Sequence, residues 1–448
     1  MSNRTPNCQH EKRTPIENTI GYIFRQYGEK YIQSYSCSQD AIKLIRAIRK
    51  CRTAAMGGLQ LKCKECGKSK IIYKSCGNAK CPICQSIKRH QCQDRIGAKM
   101  LAVPYVHLTF TLPHQLNPLL RFNKKLLYSL LYKSSWLAVK EVASNPKNIG
   151  GLPGMIALMH SWGSDMKYHV HLHTLVTFGG LDEEGNFHFP KRKDKISRYR
   201  TLRASFRKNY LLGLEKLILQ NKLELGLVKS DELLEELWEI NWVIHCTIPT
   251  VNTKVIEEYL TRYIMRIAVS NTRLNYDQIH HQVQLIYNDY RNQIEGEKAP
   301  KKIKVFDPIS FIHQFLQHLP PRYFQRLRYY GLHASATFQK CKDKIPDRLK
   351  RKGETIRTLF QILKALLTKE MLQCEECSGC EFDRLPILID EAYLKNTVPG
   401  YQERGPPKRL ITLIEPPAVF SAINSPAEPA GVCLESSKTS QKYPKSAF

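Results

Sequence analysis

The stretch YHVHLHTLVTF, residues 168–178, sets three histidines at alternate positions in an apolar, β-branched run. Successive side chains of a strand leave on opposite faces, so His169, His171 and His173 share one face. Val170, Leu172, Thr174 and Val176 take the other, which would pack on helices. Imidazoles converging from a rigid strand make half of a divalent-metal site with coordination positions left open, as an ion that polarises a phosphate requires. Cutting a strand also takes a nucleophile. In EEYLTRYIMRIAVSNTRL (257–274), Tyr259 and Tyr263 stand at i and i+4 on one face of a predicted helix, and Arg262 and Arg266 form a neighbouring basic stripe. Alone, that spacing is ordinary amphipathic packing; beside the histidine strand it becomes a candidate tyrosine nucleophile pair.

A second chemistry is written in cysteine. CKEC (63–66) and CPIC (81–84) are two CxxC knuckles with fourteen residues between Cys66 and Cys81. One tight turn brings two thiolates to one ion, and two such turns complete a tetrahedral site, so Cys63, Cys66, Cys81 and Cys84 are the expected zinc ligands. Cys51 and Cys76 are further candidates or buried thiols. CEECSGC offers Cys374, Cys377 and Cys380 for a second zinc, completed by Cys341 or a histidine. The lysines around the knuckles, from Lys62 to Lys88, suit phosphate contact or a solvated face.

These groups need a scaffold. The 448 residues, 42% hydrophobic and 24% charged, are enough for a globular protein of several domains. The net charge of +29 attracts polyanions, of which nucleic acid is the commonest. No hydrophobic leader follows MSNRTPNCQHEKR and no apolar run nears the ~18 residues that span a bilayer, so a cytoplasmic protein with no membrane partner is expected. There, cysteines serve as thiols or metal ligands. IENTIGYIFRQYGEKYI and QDAIKLIRAIRKC read as helices. Beyond residue 104, strand-like VHLTFTL, GMIALMH, YHVHLHTLVTF and NWVIHCTIP alternate with helical NKKLLYSLLYKSSWLAVKEVA, VIEEYLTRYIMRIAV and FIHQFLQHL, which gives an α+β sheet with helices packed on it. A basic helical stretch leads to CEECSGC, and the Pro-, Ser- and Ala-rich tail after about residue 415 is expected to be disordered.

Seven segments in order, CRTAAMGG, CKECG, SCGNAKCPICQ, HLTFTLPHQLNP, MHSWGSDMKYHVHLH, EYLTRYIMRIAVSNTRL and FLQHLPPRYFQRLRYYGLHA, resemble the two-tyrosine HUH transposases of the insertion-sequence-91-like, rolling-circle class. The resemblance implies an HUH-type core with a central antiparallel sheet flanked by helices, preceded by a small helical and zinc-ribbon domain. The expected division is 1–97 (helical and zinc-binding, DNA-recognising), 98–335 (two-tyrosine core) and 336–448 (basic helical region, cysteine cluster and tail). The family motif falls on His171-Leu172-His173; Val170 stands where the family has proline, which leaves His169 a further candidate. Ser164 stands where the family often has glutamine, so a third ligand would be Asp165 or a neighbouring histidine such as His160. Gly77, Ala79 and Lys80 also depart from the commoner residues.

What the resemblance implies is a metal-dependent tyrosine DNA endonuclease and strand transferase. Mg or Mn on the histidines would polarise a phosphate of single-stranded DNA, Tyr259 or Tyr263 would attack, and a 5′-phosphotyrosine link and free 3′-OH would result. Zinc would be structural, and no small-molecule substrate is expected. Arg262, Arg266, Arg273, Arg326 and Arg328 are the candidate DNA contacts, with Arg322, Tyr329 and Tyr330 in the same basic, aromatic segment. A rolling-circle replication initiator or relaxase would share this core, and a zinc-ribbon DNA-binding protein with an inactive core would share the zinc module.

Overall fold

The structure is a computed structural model that describes residues 19–250, 268–294, 297–341, 343–349, 357–358, 361–362 and 373–387. Tyr259, Tyr263, Arg262 and Arg266 lie outside the described residues. Among the described residues there are nine α-helices. Two open the chain: α1 (Thr19–Ser34) and α2 (Gln39–Lys50). Ser38 caps α2 through its Oγ, which accepts from the Ala41 amide at 3.3 Å, and Asp40 and Arg49–Lys50 complement the helix dipole at its two ends.

A ribbon follows, β1 (Gly58–Cys63) and β2 (Ser69–Tyr73), and then α3 (Ser86–Gly97). The central sheet begins at β3 (Tyr105–Thr111). Two helices, α4 (Asn117–Phe122) and α5 (Lys124–Ser144), separate it from the hairpin of β4 (Gly154–Trp162) and β5 (Tyr168–Thr177). Next come the two-residue strands β6 (Gly180–Leu181) and β7 (Phe187–His188), helices α6 (Tyr199–Leu219) and α7 (Ser230–Glu239), and β8 (Val243–Cys246). A separate three-stranded sheet is made by β9 (Leu274–Asp277), β10 (Gln282–Asn288) and β11 (Lys301–Phe306). Asp307 caps α8 (Pro308–Gln317), β12 (Leu327–Gly331) returns to the central sheet, and α9 (Ser335–Cys341) and β13 (Phe382–Ile387) follow.

The central sheet is antiparallel with strand order β12-β4-β5-β3-β8, so β5 lies in the middle. Its register explains the two faces. Val170, Leu172 and Val176 of β5 join Val106, Leu108 and Phe110 of β3 and Met155, Ala157 and Met159 of β4 in the main core, which is closed by Leu127, Leu131, Phe206, Tyr210 and Trp242. Phe206 packs edge-on against Phe110 and Trp242, with centroids 4.9 and 5.2 Å away. On the other face Ile156, Leu158 and Leu175 are covered by Ile96, Met100, Leu101, Leu332, Ile345 and Leu349, and the remainder carries histidines.

A third core joins parts far apart in sequence. Ile20, Ile23 and Phe24 of α1 and Leu44, Ile45 and Ile48 of α2 pack with Val283, Leu285, Phe311 and Phe315. The first 97 residues are thus built against the 268–319 region, and β13 pairs with β1, so the expected segments interlock. Within the described residues the four strands expected between 104 and 250 are present, as are the helices at α1, α2, α5 and α8. The predicted helix VIEEYLTRYIMRIAV lies almost wholly outside the described residues, and the tail entirely so.

Leu172→Ala should lower the unfolding free energy by about 2–5 kcal/mol, because Leu172 is wholly buried in the packing face of β5. Chemical denaturation checks this; a loss near zero would mean that the helical layer does not close on this face.

Candidate functional site

On the open face of the central sheet, β5 puts His171 directly across from His160 of β4, and His173 across from Thr109 of β3. His160, His171 and His173 are all buried, and one ligand nitrogen from each lies within 4.8 Å of the other two. The two members of the predicted pair are closest, with His171 Nε2 3.0 Å from His173 Nε2. Two imidazoles bound side by side at about 2.1 Å from one ion have their nitrogens about 3 Å apart, so the spacing fits a shared cation.

Hydrogen bonding decides which atoms can be ligands. His171 Nδ1 lies 2.9 Å from the carbonyl oxygen of His169. A carbonyl only accepts, so Nδ1 carries the hydrogen and the neutral ring presents a bare lone pair at Nε2. His173 Nδ1 lies 3.1 Å from His107 Nε2, with Thr109 Oγ1 3.4 Å from each of these atoms. If His107 donates to His173, then His173 donates through Nε2 to His171, and the cluster is closed by hydrogens. If His173 donates to His107, both Nε2 lone pairs face one another, and only a cation between them satisfies both. Reversing this relay converts the cluster into a ligand pair.

Burial keeps the rings neutral. It pushes His171 down to about 3, with repulsion from His169 adding to it. The same cause sets His173 well below its ordinary value and, with repulsion from His245, lowers His107 to about 4. Three neutral imidazoles suit Mn or a softer divalent ion better than Mg, which takes mainly oxygen ligands.

His160 is fixed by stacking on Trp162, with centroids 4.5 Å apart and planes 19° from parallel. Trp162 belongs to the core built by α1, α2 and α8, so that core supports the site from below. The other two candidates fall outside the trio. His169 is exposed and contributes its carbonyl. Asp165 sits in the β4–β5 turn, where its carboxylate accepts from the Lys167 amide at 3.1 Å and pairs with the Lys167 ammonium at 3.8 Å. His107 is not among the residues to which the sequence points. A single histidine in the apolar run VHLTFTL gives no periodic signal, and only the pairing of β3 with β5 sets it beside His173.

The zinc expectation needs a correction: CKEC and CPIC do not share a site. Cys81 and Cys84 group with Cys51 and Cys76, while Cys63 and Cys66 group with Cys374 and Cys377. The reason is the ribbon. Cys63 and Cys66 lie at the tip of the β1–β2 hairpin, and the five residues of β2 carry the chain about 17 Å away from them. At the base, Arg52 N donates to the Lys74 carbonyl at 3.2 Å, which sets Cys76 beside Cys51 at the end of α2. Cys76 and Cys84 have their sulfurs 3.7 Å apart, near the ~3.8 Å of a tetrahedral site with bonds of about 2.3 Å. Thiol donation from Cys51 and Cys81 holds the Cys76 thiol well below its ordinary value, and that same sharing pushes Cys51 up. Cys341 and Cys380 belong to neither group, and Cys341 packs instead against the Ile96–Leu349 core.

Of the arginines read as DNA contacts, Arg273 donates through Nε to the Ile286 carbonyl at 2.9 Å and through Nη2 to the Ser164 carbonyl. Arg328 lies over the rings of Tyr132 and Phe324, 4.3 and 5.0 Å from their centroids. Arg326 is half-buried, and burial lowers its pKa. Tyr330 stacks on Trp136 at 5.4 Å, and Lys99 sits over Tyr329. This segment is therefore used largely in packing. Three lysines of the first knuckle also have carboxylate partners: Lys64 with Glu381 at 3.2 Å, Lys68 with Glu376 at 2.8 Å, and Lys70 with Glu375.

The histidine-lined antiparallel sheet and the Cys51–Cys76–Cys81–Cys84 group fall in segments that match two transposase family profiles, one of them zinc-binding. Residues 23–112 match the family profile described as "Transposase zinc-binding domain", and residues 154–341 the one described as "Putative transposase". The chain is 31% identical over 373 residues to "Putative transposase y4qJ" of Sinorhizobium fredii (strain NBRC 101917 / NGR234), covering 80% of this chain and 92% of that protein. It is 27% identical over 353 residues to the transposase for insertion sequence element IS801 of Pseudomonas savastanoi pv. phaseolicola, covering 75% and 82%. The chain belongs to the insertion-sequence-91-like transposase family. No solved structure matches it. Among the described residues, no helix is long and apolar enough to cross a membrane.

Two outcomes follow from the histidine geometry. A histidine whose folded pKa is depressed binds fewer protons folded than unfolded, so its stabilising effect is full above about 6.5 and is lost as pH falls toward the folded value. His107, His171, His318 and His333 are all lowered by burial to about 4 or about 3, so stability of the metal-free protein should begin falling near pH 6.5. Urea unfolding between pH 7.5 and 5 checks this, and a flat profile would contradict it. His107→Ala should weaken Mn binding about 10–100-fold by freeing the His173 ring, with the fold kept; calorimetric titration reads the affinity.

Proposed function

We propose that this transposase cleaves and joins single-stranded DNA by the rolling-circle route, using a tyrosine nucleophile and a divalent ion. The observation that carries the reading is the buried trio of His160, His171 and His173 on the open face of the central sheet, in a chain of this family. These three residues would hold the ion, Mn or Mg, which when bound would polarise the scissile phosphate and stabilise its developing charge. His107 acts through His173 by fixing its tautomer and ring orientation.

Tyr259 and Tyr263 are the proposed nucleophiles. The phenolic oxygen of one attacks phosphorus and loses its proton; the bond to the 3′-oxygen breaks, and that oxygen leaves as a free 3′-OH. A 5′-phosphotyrosine ester remains and conserves the cleavage energy, so a later 3′-OH can reverse the step without ATP. On the helix that the sequence predicts, an i,i+4 pair would set the second hydroxyl about 6 Å along the axis, as a second, linked cleavage requires. The partners are then DNA strands, the element ends and the target, held through phosphates by the excess of basic residues. Residues 98–335 would form the catalytic core and the zinc module would help recognise element ends, in the cytoplasm at the nucleoid.

Changing both Tyr259 and Tyr263 to Phe should lower the yield of covalent protein–DNA adduct on a single-stranded element end about 10³-fold or more, with binding of the strand intact. His171→Ala with His173→Ala should remove Mn-dependent adduct formation as well. Undiminished adducts in the tyrosine double variant would sink the assignment, and peptide mapping of the parent adduct identifies the nucleophile.

A further inference from the structure

The Cys63–Cys66–Cys374–Cys377 group takes no part in this chemistry, and half of it lies beyond both matched family regions, which end at residues 112 and 341. We propose that it is a second zinc site and works as a clasp, fastening residues 373–387 to the tip of the N-terminal ribbon. The proposal does not rest on the nuclease reading.

Three observations carry it. The first is sulfur geometry: Cys63 Sγ lies 3.6 Å from Cys377 Sγ and Cys66 Sγ lies 3.5 Å from Cys374 Sγ, close to the ~3.8 Å that a tetrahedral zinc site sets. These contacts join residues 314 and 308 positions apart, so they are no accident of local chain proximity.

The second is that the two CxxC segments have the same backbone. In the first knuckle Gly67 N donates to the Cys63 carbonyl at 2.9 Å and Cys63 N to the Lys68 carbonyl at 2.8 Å. In the second, Ser378 N donates to the Cys374 carbonyl at 2.9 Å and Cys374 N to the Gly379 carbonyl at 2.8 Å. The residue after each second cysteine is left-handed, with φ of +73° at Gly67 and +60° at Ser378. A serine is held in a conformation that side chains rarely adopt, in the one place where it completes a copy of the other knuckle. CEEC is thus a second zinc knuckle facing the first, and Cys380 is outside it.

The third is what holds the segment apart from sulfur. Strand β13 pairs antiparallel with β1 from Phe382↔Cys63 to Ile387↔Gly58, yet its interior residues are exposed, Leu385 included. The flanking pairs of Lys64, Lys68 and Lys70 with Glu381, Glu376 and Glu375 set the register, but exposed ion pairs contribute little. With so little apolar burial, attachment depends on the ion, which closes a loop of more than three hundred residues. Each group has two buried cysteines, but the clasp is the more accessible of the two sites, because its Cys66 and Cys377 are exposed whereas Cys76 and Cys84 of the other are half-buried.

The test uses the full chain. Cys374→Ser with Cys377→Ser should bind one equivalent of zinc fewer than the parent by elemental analysis, and trypsin should cut at Arg384 at least tenfold faster. The Cys76→Ser, Cys84→Ser variant should also lose one equivalent yet keep Arg384 protected. An unchanged zinc count in the Cys374, Cys377 variant would overturn the proposal. Should that variant fail to fold, the parent protein decides: chelation must expose Arg384 and zinc alone must restore its protection. Protection indifferent to chelation would overturn the clasp.

Discussion

Everything at the candidate site depends on the two-sidedness of one strand. β5 is the middle strand of an antiparallel sheet, so neither of its faces can be spared a structural duty. Leu172, Val170 and Val176 fill one face and bring α5 and α6 down on the sheet. The alternate positions are thereby committed to the opposite face at a fixed spacing, and there the register with β4 and β3 lines them with His160, Thr109 and His107. A slip of one residue would put imidazoles in the apolar core and leucines on the open face. The packing of the helical layer and the geometry of the ligand trio are one constraint seen from two sides.

Burying several imidazoles together is costly unless their nitrogens are satisfied, and the site meets that cost with a relay. The His169 carbonyl orients His171, His107 orients His173, and Trp162 stacks under His160. Desolvation removes the alternative of protonation, so the rings stay neutral and their lone pairs remain available. Trp162 also ties this arrangement to the core shared by α1, α2, β10 and α8. The N-terminal region is consequently a structural neighbour of the central sheet rather than an independent appendage.

Much of this was legible in the chain. Alternation in YHVHLHTLVTF gave the shared face, the apolar spacing gave the helices, and the ordered motifs gave the family. The cysteine groups were harder, because CxxC spacing brings two cysteines together and is silent on which other two join them. Cys63 and Cys66 found theirs more than three hundred residues away, while Cys81 and Cys84 found theirs at Cys51 and Cys76. His107 was hidden for a related reason: a lone histidine in an apolar strand has no periodic partner to betray it.

By itself the sequence determined which residues could do chemistry, since residue type and local period are properties of neighbours in the chain. It determined that His171 and His173 point together, that cysteines come in knuckles, and that the family is a transposase family. Only the tertiary structure decided which of these groups meet. Strand register brought His160 rather than Asp165 to the pair, and the β1–β2 hairpin separated two knuckles that are close in sequence while β13 returned to join one of them. Ligand sets are closed by long-range contacts, and no local spacing encodes where a distant strand will pair.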